Sequence, residues 1–298
     1  GYRREEKHPS SLFYEQSIRG IGPLYEELID QAPDAVICVH LFPAMMMTAL
    51  KQAWSACPVF CFVATDYTCS PTVGACTPDI CVIPHQELAD EFVSCGIARD
   101  TLLPAGIPVR SAFREHGDRA AARRALGLPE TGRHIVLMSG SIGCGPMGDV
   151  AEDLDMRMAD GDFATVLCGS NKQMRYALEL RRLYRVEAMG FTTQVQLYMD
   201  SADVLVSKPG GISITEAGTC GVPLLLADMV GGCETRNEAF FTAHGWAASC
   251  PPDSMAASAL AFLEDEQQRQ AITAAQSRDF DGLAADRVAA AVLARCKK

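Results

Sequence analysis

The sequence predicts an α/β protein built on parallel sheets, and three observations predict it. Short, apolar, β-rich runs closed by Gly, Pro or a polar turn recur at 35–39, 59–64, 80–83, 135–139, 165–168, 204–207 and 223–226. Amphipathic stretches fill the intervals, for example at 86–94, 119–126, 149–158, 171–183 and 212–219. Two of the apolar runs pass straight into glycine-rich turns that open a helical pattern. Strands so uniformly apolar belong to a sheet covered on both faces, and strand–helix–strand alternation winds such a sheet in two directions.

At 298 residues the chain is long enough for two domains, each with its own core. The best boundary lies in the charged stretch 114–133, where a helical pattern ends at Gly127 and Pro129 and Gly132 interrupt the chain. This divides the chain into an N-terminal domain, 1–130, and a C-terminal domain, 131–298, whose last helix is a candidate to cross back. Only three or four strands precede the boundary, and the opening segment up to Gln31 reads as helix and loop, so the N-terminal domain looks incomplete.

With 37 acidic residues against 26 Lys and Arg, the net charge of −11 argues against the basic face that a nucleic-acid reader needs, so no nucleic-acid partner is expected. It also disfavours firm electrostatic attachment to anionic lipid. No run approaches the roughly 20 apolar residues of a membrane span, and 1–7 lacks the apolar core of a signal peptide, so a cytoplasmic location is expected. The 13 cysteines include no Cys-x-x-Cys pair, and several sit inside apolar runs such as 59–63. They read as reduced core filler. A zinc site drawn from Cys57, Cys61, Cys69, Cys76 and Cys81 is the alternative, but it lacks the paired short spacings of a zinc ribbon, and no bound metal is expected.

The first glycine turn is Ser139-Gly140-Ser141-Ile142-Gly143-Cys144-Gly145-Pro146-Met147-Gly148. Its glycines at 143, 145 and 148 fit G-x-G-x-x-G, a turn whose backbone amides can approach a phosphate at a helix N-terminus. The next strand ends in Gly169-Ser170-Asn171 without the carboxylate that reads a dinucleotide ribose. That weakens a nicotinamide reading, and a purely structural turn stays open.

The second turn, Ser207-Lys208-Pro209-Gly210-Gly211-Ile212-Ser213-Ile214-Thr215-Glu216-Ala217-Gly218, is more specific. The amides of Gly210 and Gly211 and the helix start offer a second anion site. Glu216 is placed to accept from a ribose diol, or else to cap the helix as a first-turn glutamate. A third cluster, Gly231-Gly232-Cys233-Glu234-Thr235-Arg236-Asn237, opens another helix one strand further on, with polar side chains suited to hydroxyls or to ordinary capping.

These motifs together resemble a known family. Lys208-Pro209-Gly210-Gly211 with Ser213 and Thr215-Glu216-Ala217, the run Gly221-Val222-Pro223-Leu224-Leu225-Leu226, the 231–237 cluster, Ala64-Thr65-Asp66-Tyr67-Thr68-Cys69 and Ala105-Gly106-Ile107-Pro108-Val109-Arg110 stand in the order seen in two related groups. The chain looks like the processive diacylglycerol glucosyltransferases and the monogalactosyldiacylglycerol synthases, GT-B enzymes that share their fold with the peptidoglycan N-acetylglucosaminyltransferase. The resemblance implies two Rossmann-like domains with a cleft between them. It further implies transfer of a hexose from UDP-glucose or UDP-galactose to diacylglycerol or a glycolipid, with inversion and without metal or other cofactor, by a protein peripheral at the inner face of the membrane. A UDP-N-acetylglucosamine enzyme (a lipid II-type transferase or a 2-epimerase) and a non-catalytic UDP-sugar sensor are the alternatives.

By the same resemblance, Phe191 would lie against uracil, and Gly210, Gly211, Ser213 and Thr215 would hold the diphosphate. Glu216 would read the ribose, Cys233, Glu234 and Asn237 would lie near the sugar, and the loop carrying Ser141, Gly143 and Gly145 would face the diphosphate from the cleft. The chain departs from the family pattern in several places. The family's first strand and its Gly-Gly-Gly-His-type loop, which carries the candidate base, have no counterpart here. The His and Trp after the Thr-Asp-Tyr motif are Ser70 and Val73, and the Gln before Glu234 is Cys233. That leaves Asp66 as the candidate catalytic carboxylate, or equally a turn-capping Asp after a buried strand, and a chain expected to bind UDP-sugar better than it transfers sugar. For the membrane, the Met-rich run 41–47 and the arginines at 110, 114, 119, 123 and 124 are candidates, against a buried helix and a solvated helix face.

Overall fold

The computed structural model, described over residues 20–115, 117–138, 140 and 145–296, divides the chain into two units. One comprises Gly1–Pro108 with Leu283–Lys298, the other Val109–Gly282.

In the first unit, helix α1 (Ile21–Gln31) leads to strands β1 (Ala35–Cys38), β2 (Val59–Val63), β3 (Ile80–Ile83) and β4 (Leu102–Pro104). They pair in the order β1-β2-β3-β4, all parallel, with Cys38 beside Phe62 and Val63 beside Val82. Helix α2 (Leu41–Ala53) crosses from β1 to β2, and α3 (Ala89–Ser94) from β3 to β4. The Met-rich run lies in α2, with Ala44, Met45 and Met47 fully buried. Of the two readings of that run, the buried helix is the one the fold adopts; Phe42 alone of its large side chains stands out as exposed. Asp79 fixes the helix to the sheet, accepting from Lys51 Nζ at 2.6 Å and from the Phe60 amide at 2.8 Å.

The C-terminal helix (Ala284–Cys296) belongs to this unit, with Val288 and Val292 packed among Cys61, Val63, Ile80 and Val82. Arg287 secures it by donating to the Ala105 carbonyl at 2.9 Å. Burial pushes the Cys61 and Cys76 thiols up to about 11 and Cys81 to about 12. These cysteines therefore stay neutral and pack as small apolar groups.

The second unit opens with α4 (Arg119–Leu126) and β5 (His134–Met138), followed by α5 (Met147–Arg157), β6 (Phe163–Leu167), α6 (Lys172–Arg181) and β7 (Val186–Met189). Then come α7 (Val195–Ser201), β8 (Val204–Ser207), α8 (Gly211–Cys220), β9 (Leu224–Leu226), α9 (Cys233–Ala243), β10 (Ala248–Ser249), α10 (Met255–Glu264) and α11 (Glu266–Asp279), the C-terminal helix being α12. Residues 109–130, which the sequence reading joins to the N-terminal side, pack with this unit. Arg123, only 3% exposed, donates to Ser201 O, Gly132 O and Asp203 Oδ2. Arg119 pairs with the same aspartate. Arg123 is therefore unavailable to a lipid surface, whereas Arg119 keeps about half its side chain exposed, 52%.

The six strands run parallel in the order β10-β9-β8-β5-β6-β7. Chain direction across the sheet reverses between β5 and β8, so the crevice beyond the carboxyl ends of these two strands is where a doubly wound sheet binds its ligand. The core beneath is apolar: Ile135, Leu137, Val204 and Val206 pack with Ala151, Leu154, Ala259 and Phe262. A buried polar cluster, His134 with Thr165 and Ser201, lies beside it. His134, fully buried, shares hydrogen bonds with Ser201 Oγ at 3.0 Å and Thr165 Oγ1 at 2.9 Å. Burial, with the nearby Arg123 charge, pushes its pKa down to about 3, so the ring is neutral.

Candidate functional site

Both glycine turns emerge at that crevice. Gly140 lies two residues past the end of β5, and Lys208, Pro209 and Gly210 link β8 to α8. The ends of the two strands are tied by the Lys208 amide donating to Met138 O at 3.3 Å. Gly140 takes a left-handed backbone (φ +78°), and a Cβ there would lie 2.6 Å from Lys208 Cε, so the bare turn is what lets the lysine stem cross it. Gly145, at φ +85°, opens α5, and a Cβ on it would meet Met229 Sδ at 2.2 Å. Ser141 and Gly143 lie outside the described residues.

An open pocket lies here within the second unit. Its lining joins the apolar Met138, Leu167, Phe191 and Val195 to Gly140, Gly169 and Gly190 and to Ser213 and Glu216 of α8. Phe191 is 74% exposed, a large ring left in water at the rim and free to stack on a flat ligand. Glu216 sits in the second turn of α8, because the helix starts at Gly211. A first-turn capping role is thereby removed. Burial pushes its carboxyl up to about 7, against the opposing charge of Arg110. Arg110 is itself held by Thr193 O at 3.3 Å and by the face of Phe113.

The α8 N-terminus has no side-chain cap, which leaves the first amides of a ten-residue helix facing the crevice. Gly210 does not offer the free amide that the sequence suggests. Its N–H closes a tight turn onto Lys208 O at 2.9 Å. Thr215 is buried, its hydroxyl donating back to Gly211 O at 2.7 Å, whereas Ser213 reaches the pocket. From the third cluster, Glu234 comes to the same place, within hydrogen-bond reach of Lys208 Nζ. Asn237 is fully buried and its amide donates to Pro209 O at 3.0 Å, holding the turn from behind. Cys233 begins α9 at the edge of this group, half-buried. Asp228 accepts from the Val230 and Gly231 amides at 3.1 and 2.7 Å and from the Thr235 hydroxyl. Burial works against its charge, yet these bonds keep it below the ordinary aspartate range and brace the loop before α9.

Asp66 is in the other unit, on the loop after β2, half-buried. Glu91 of α3 holds that loop, accepting from Thr68 Oγ1 at 2.6 Å and from the Cys69 amide at 2.9 Å. Sequence reasoning quotes Lys208 and Gly140 within their motifs but gives them no part in the site, and it offers Arg110 to the lipid surface rather than to this pocket. A lysine directly before Pro-Gly-Gly at a strand end is the signal that was available.

The family model described as monogalactosyldiacylglycerol (MGDG) synthase matches residues 2–109, and that for glycosyl transferases group 1 matches 149–278. A processive diacylglycerol beta-glucosyltransferase of Staphylococcus saprophyticus is 26% identical over 230 residues, 76% of this chain and 58% of the relative. The chloroplastic monogalactosyldiacylglycerol synthase of Spinacia oleracea is 29% identical over 231 residues, 73% of this chain and 44% of the relative. The chain thus spans about half the length of these relatives. Among solved structures, a putative UDP-N-acetylglucosamine 2-epimerase from Listeria monocytogenes superposes with a TM-score of 0.69 at 15% identity, covering 97% of this chain and 82% of that one; it establishes the two-domain GT-B fold alone. Motifs, fold and both halves of the chain thus agree in their likeness to the monogalactosyldiacylglycerol synthases and processive diacylglycerol glucosyltransferases.

Proposed function

We propose that the second unit binds a UDP-hexose and that the protein acts in transferring the hexose to a diacylglycerol-type lipid. The observation that carries this reading is the convergence of bare glycine turns, an uncapped helix start and Glu216 on one crevice at the β5/β8 reversal. Phe191 stacks on uracil. Glu216, once ionised, accepts from the ribose hydroxyls. The Ser213 hydroxyl and the first amides of α8 receive the pyrophosphate, where the helix dipole favours negative charge. Glu234 accepts from a hexose hydroxyl, and Asn237 supports the turn beneath.

The transfer is an inverting displacement. The lipid hydroxyl attacks the anomeric carbon from the face opposite UDP, the bond from that carbon to the UDP oxygen breaks, and a general base takes the hydroxyl proton. Charge growing on the departing UDP is met by the same amides and dipole that bind it. Asp66 is the carboxylate assigned as base. Work on a lipid implies contact with a membrane surface, and among the described residues no helix is long and apolar enough to cross one. UDP-glucose and UDP-galactose both fit this reading.

Titrating UDP into the chain by calorimetry, then supplying labelled UDP-glucose or UDP-galactose with diacylglycerol in mixed vesicles, tests it. Saturable UDP binding and label in the lipid phase are expected. No binding of UDP at millimolar concentration would refute the donor site, and binding without any lipid product from either sugar would refute the transfer.

A further inference from the structure

Lys208 is placed where a cation should be unwelcome. Its Nζ lies 3.3 Å from the position a Cβ on Gly210 would take, beside the N-terminus of α8, where the helix dipole is already positive. Its stem reaches that point across the surface left bare by Gly140, a position that could carry no side chain without displacing it. Glu234 Oε1 holds the ammonium, in a contact shared by a lysine side chain 22% exposed and a glutamate side chain 10% exposed. The second glutamate oxygen, Oε2, is buried without a hydrogen-bond partner. An ammonium thus lies beside an uncapped helix start, held by Glu234 and close enough to Asp228 to favour its charge, next to one unsatisfied acceptor. Buried polar groups are rarely left so.

One ligand class meets both demands: a pyrophosphate ester with a hydroxyl-rich substituent, the anion meeting the uncapped amides and the ammonium and a hydroxyl donating to Oε2. We propose that Lys208 is a binding residue for the pyrophosphate of the nucleotide sugar, held in position by Glu234 and acting on the phosphate nearer the sugar. This rests on the reading of the crevice as a UDP-sugar site and adds to it a side-chain charge that the amides alone do not supply. An ammonium is a point charge on a flexible stem, suited to following a phosphate as the sugar departs.

The test compares UDP with UMP by calorimetry on the full chain. Wild type is expected to prefer UDP. Lys208→Met should lose on the order of 10- to 100-fold in UDP affinity, the scale of one charge-assisted hydrogen bond, with UMP nearly unchanged. Lys208→Arg should recover most of the loss, and UDP binding by wild type should weaken with added salt more steeply than binding by Lys208→Met. Because the single change strands Glu234 in a buried place, the double variant Lys208→Met with Glu234→Gln gives a neutral pair in which the same loss of UDP over UMP should appear. An unchanged UDP-to-UMP ratio in both variants overturns the role of Lys208 while leaving the site intact. A wild-type chain that binds neither nucleotide overturns the site itself, and this role with it.

Discussion

Glu216 is held in a condition that opposes the work assigned to it, and the opposition can be measured. Burial lifts its carboxyl from 4.5 to about 7. At about 1.4 kcal/mol per pH unit, ionising it in the fold costs about 2–3 kcal/mol once the pH is above 8, after allowance for its partial solvation. The sign follows from the direction. Between pH 4.5 and 7 the folded state holds a proton that the unfolded chain releases, so this contribution to stability is lost as pH rises through 7. Glu216→Gln removes the penalty. At pH 8 its melting temperature should exceed that of wild type by roughly 5–10 °C for a unit of this size, and at pH 5 the gap should shrink to roughly a quarter of that. Binding should move the other way, because the ribose hydroxyls need the ionised acceptor. At pH 8 the same variant should bind UDP-glucose on the order of 10- to 100-fold more weakly. For wild type, affinity should fall toward tenfold per unit as pH drops below 7. UDP-glucose is the ligand of choice, since its phosphodiester oxygens do not titrate in this range. The assay is scanning calorimetry with and without ligand at pH 5, 6.5 and 8, backed by titration calorimetry. Equal melting temperatures at pH 8, or wild-type affinity flat from pH 5.5 to 8.5, would refute the argument.

Three further outcomes are expected. His134 is neutral in the fold, with its pKa pushed down to about 3 from 6.5, so stability is lost as pH falls below 6.5; His134→Asn should be less stable at pH 7 yet show a shallower acid limb in urea unfolding, and parallel limbs would contradict the account. Gly140→Ala should weaken UDP binding at least tenfold while lowering stability by only about 1 kcal/mol, since its Cβ displaces the Lys208 stem rather than the core; unchanged affinity would mean that the stem has room elsewhere. Asp66→Asn should reduce hexose transfer to lipid by two or more orders of magnitude, the scale of general-base catalysis, with UDP affinity unaltered; full transfer by the variant would remove Asp66 as the base.

What was legible in the sequence, and what was not, follows from how far apart the interacting residues lie along the chain. The long apolar strands β2, β5 and β8 announced themselves, because a run buried on both faces needs no partner to be recognised. The short β4 and β10 and the edge strand β7, whose Val186-Glu187-Ala188-Met189 carries a glutamate on a half-open edge, did not. Glycine turns were readable because their chemistry is local. The features that decide the site depend on side chains brought together from distant segments: Lys208 laid over Gly140 and paired with Glu234, and Asn237 bracing Pro209. Motif reading gives 207–218 the anion and 231–237 the hydroxyls of one ligand, without an ion pair between them. In the fold, Glu234 enters the first of them and Asn237 supports it, so the two motifs form one site whose charge balance neither segment states alone. The same holds for Arg123, which looked like part of a basic helix face and is instead the buried anchor of α4 on Asp203 and Ser201. A side chain's number of methylenes and its charge are written in the sequence, but the element it reaches is set by the strand order, and here the strand order reverses at the one place where the chemistry collects.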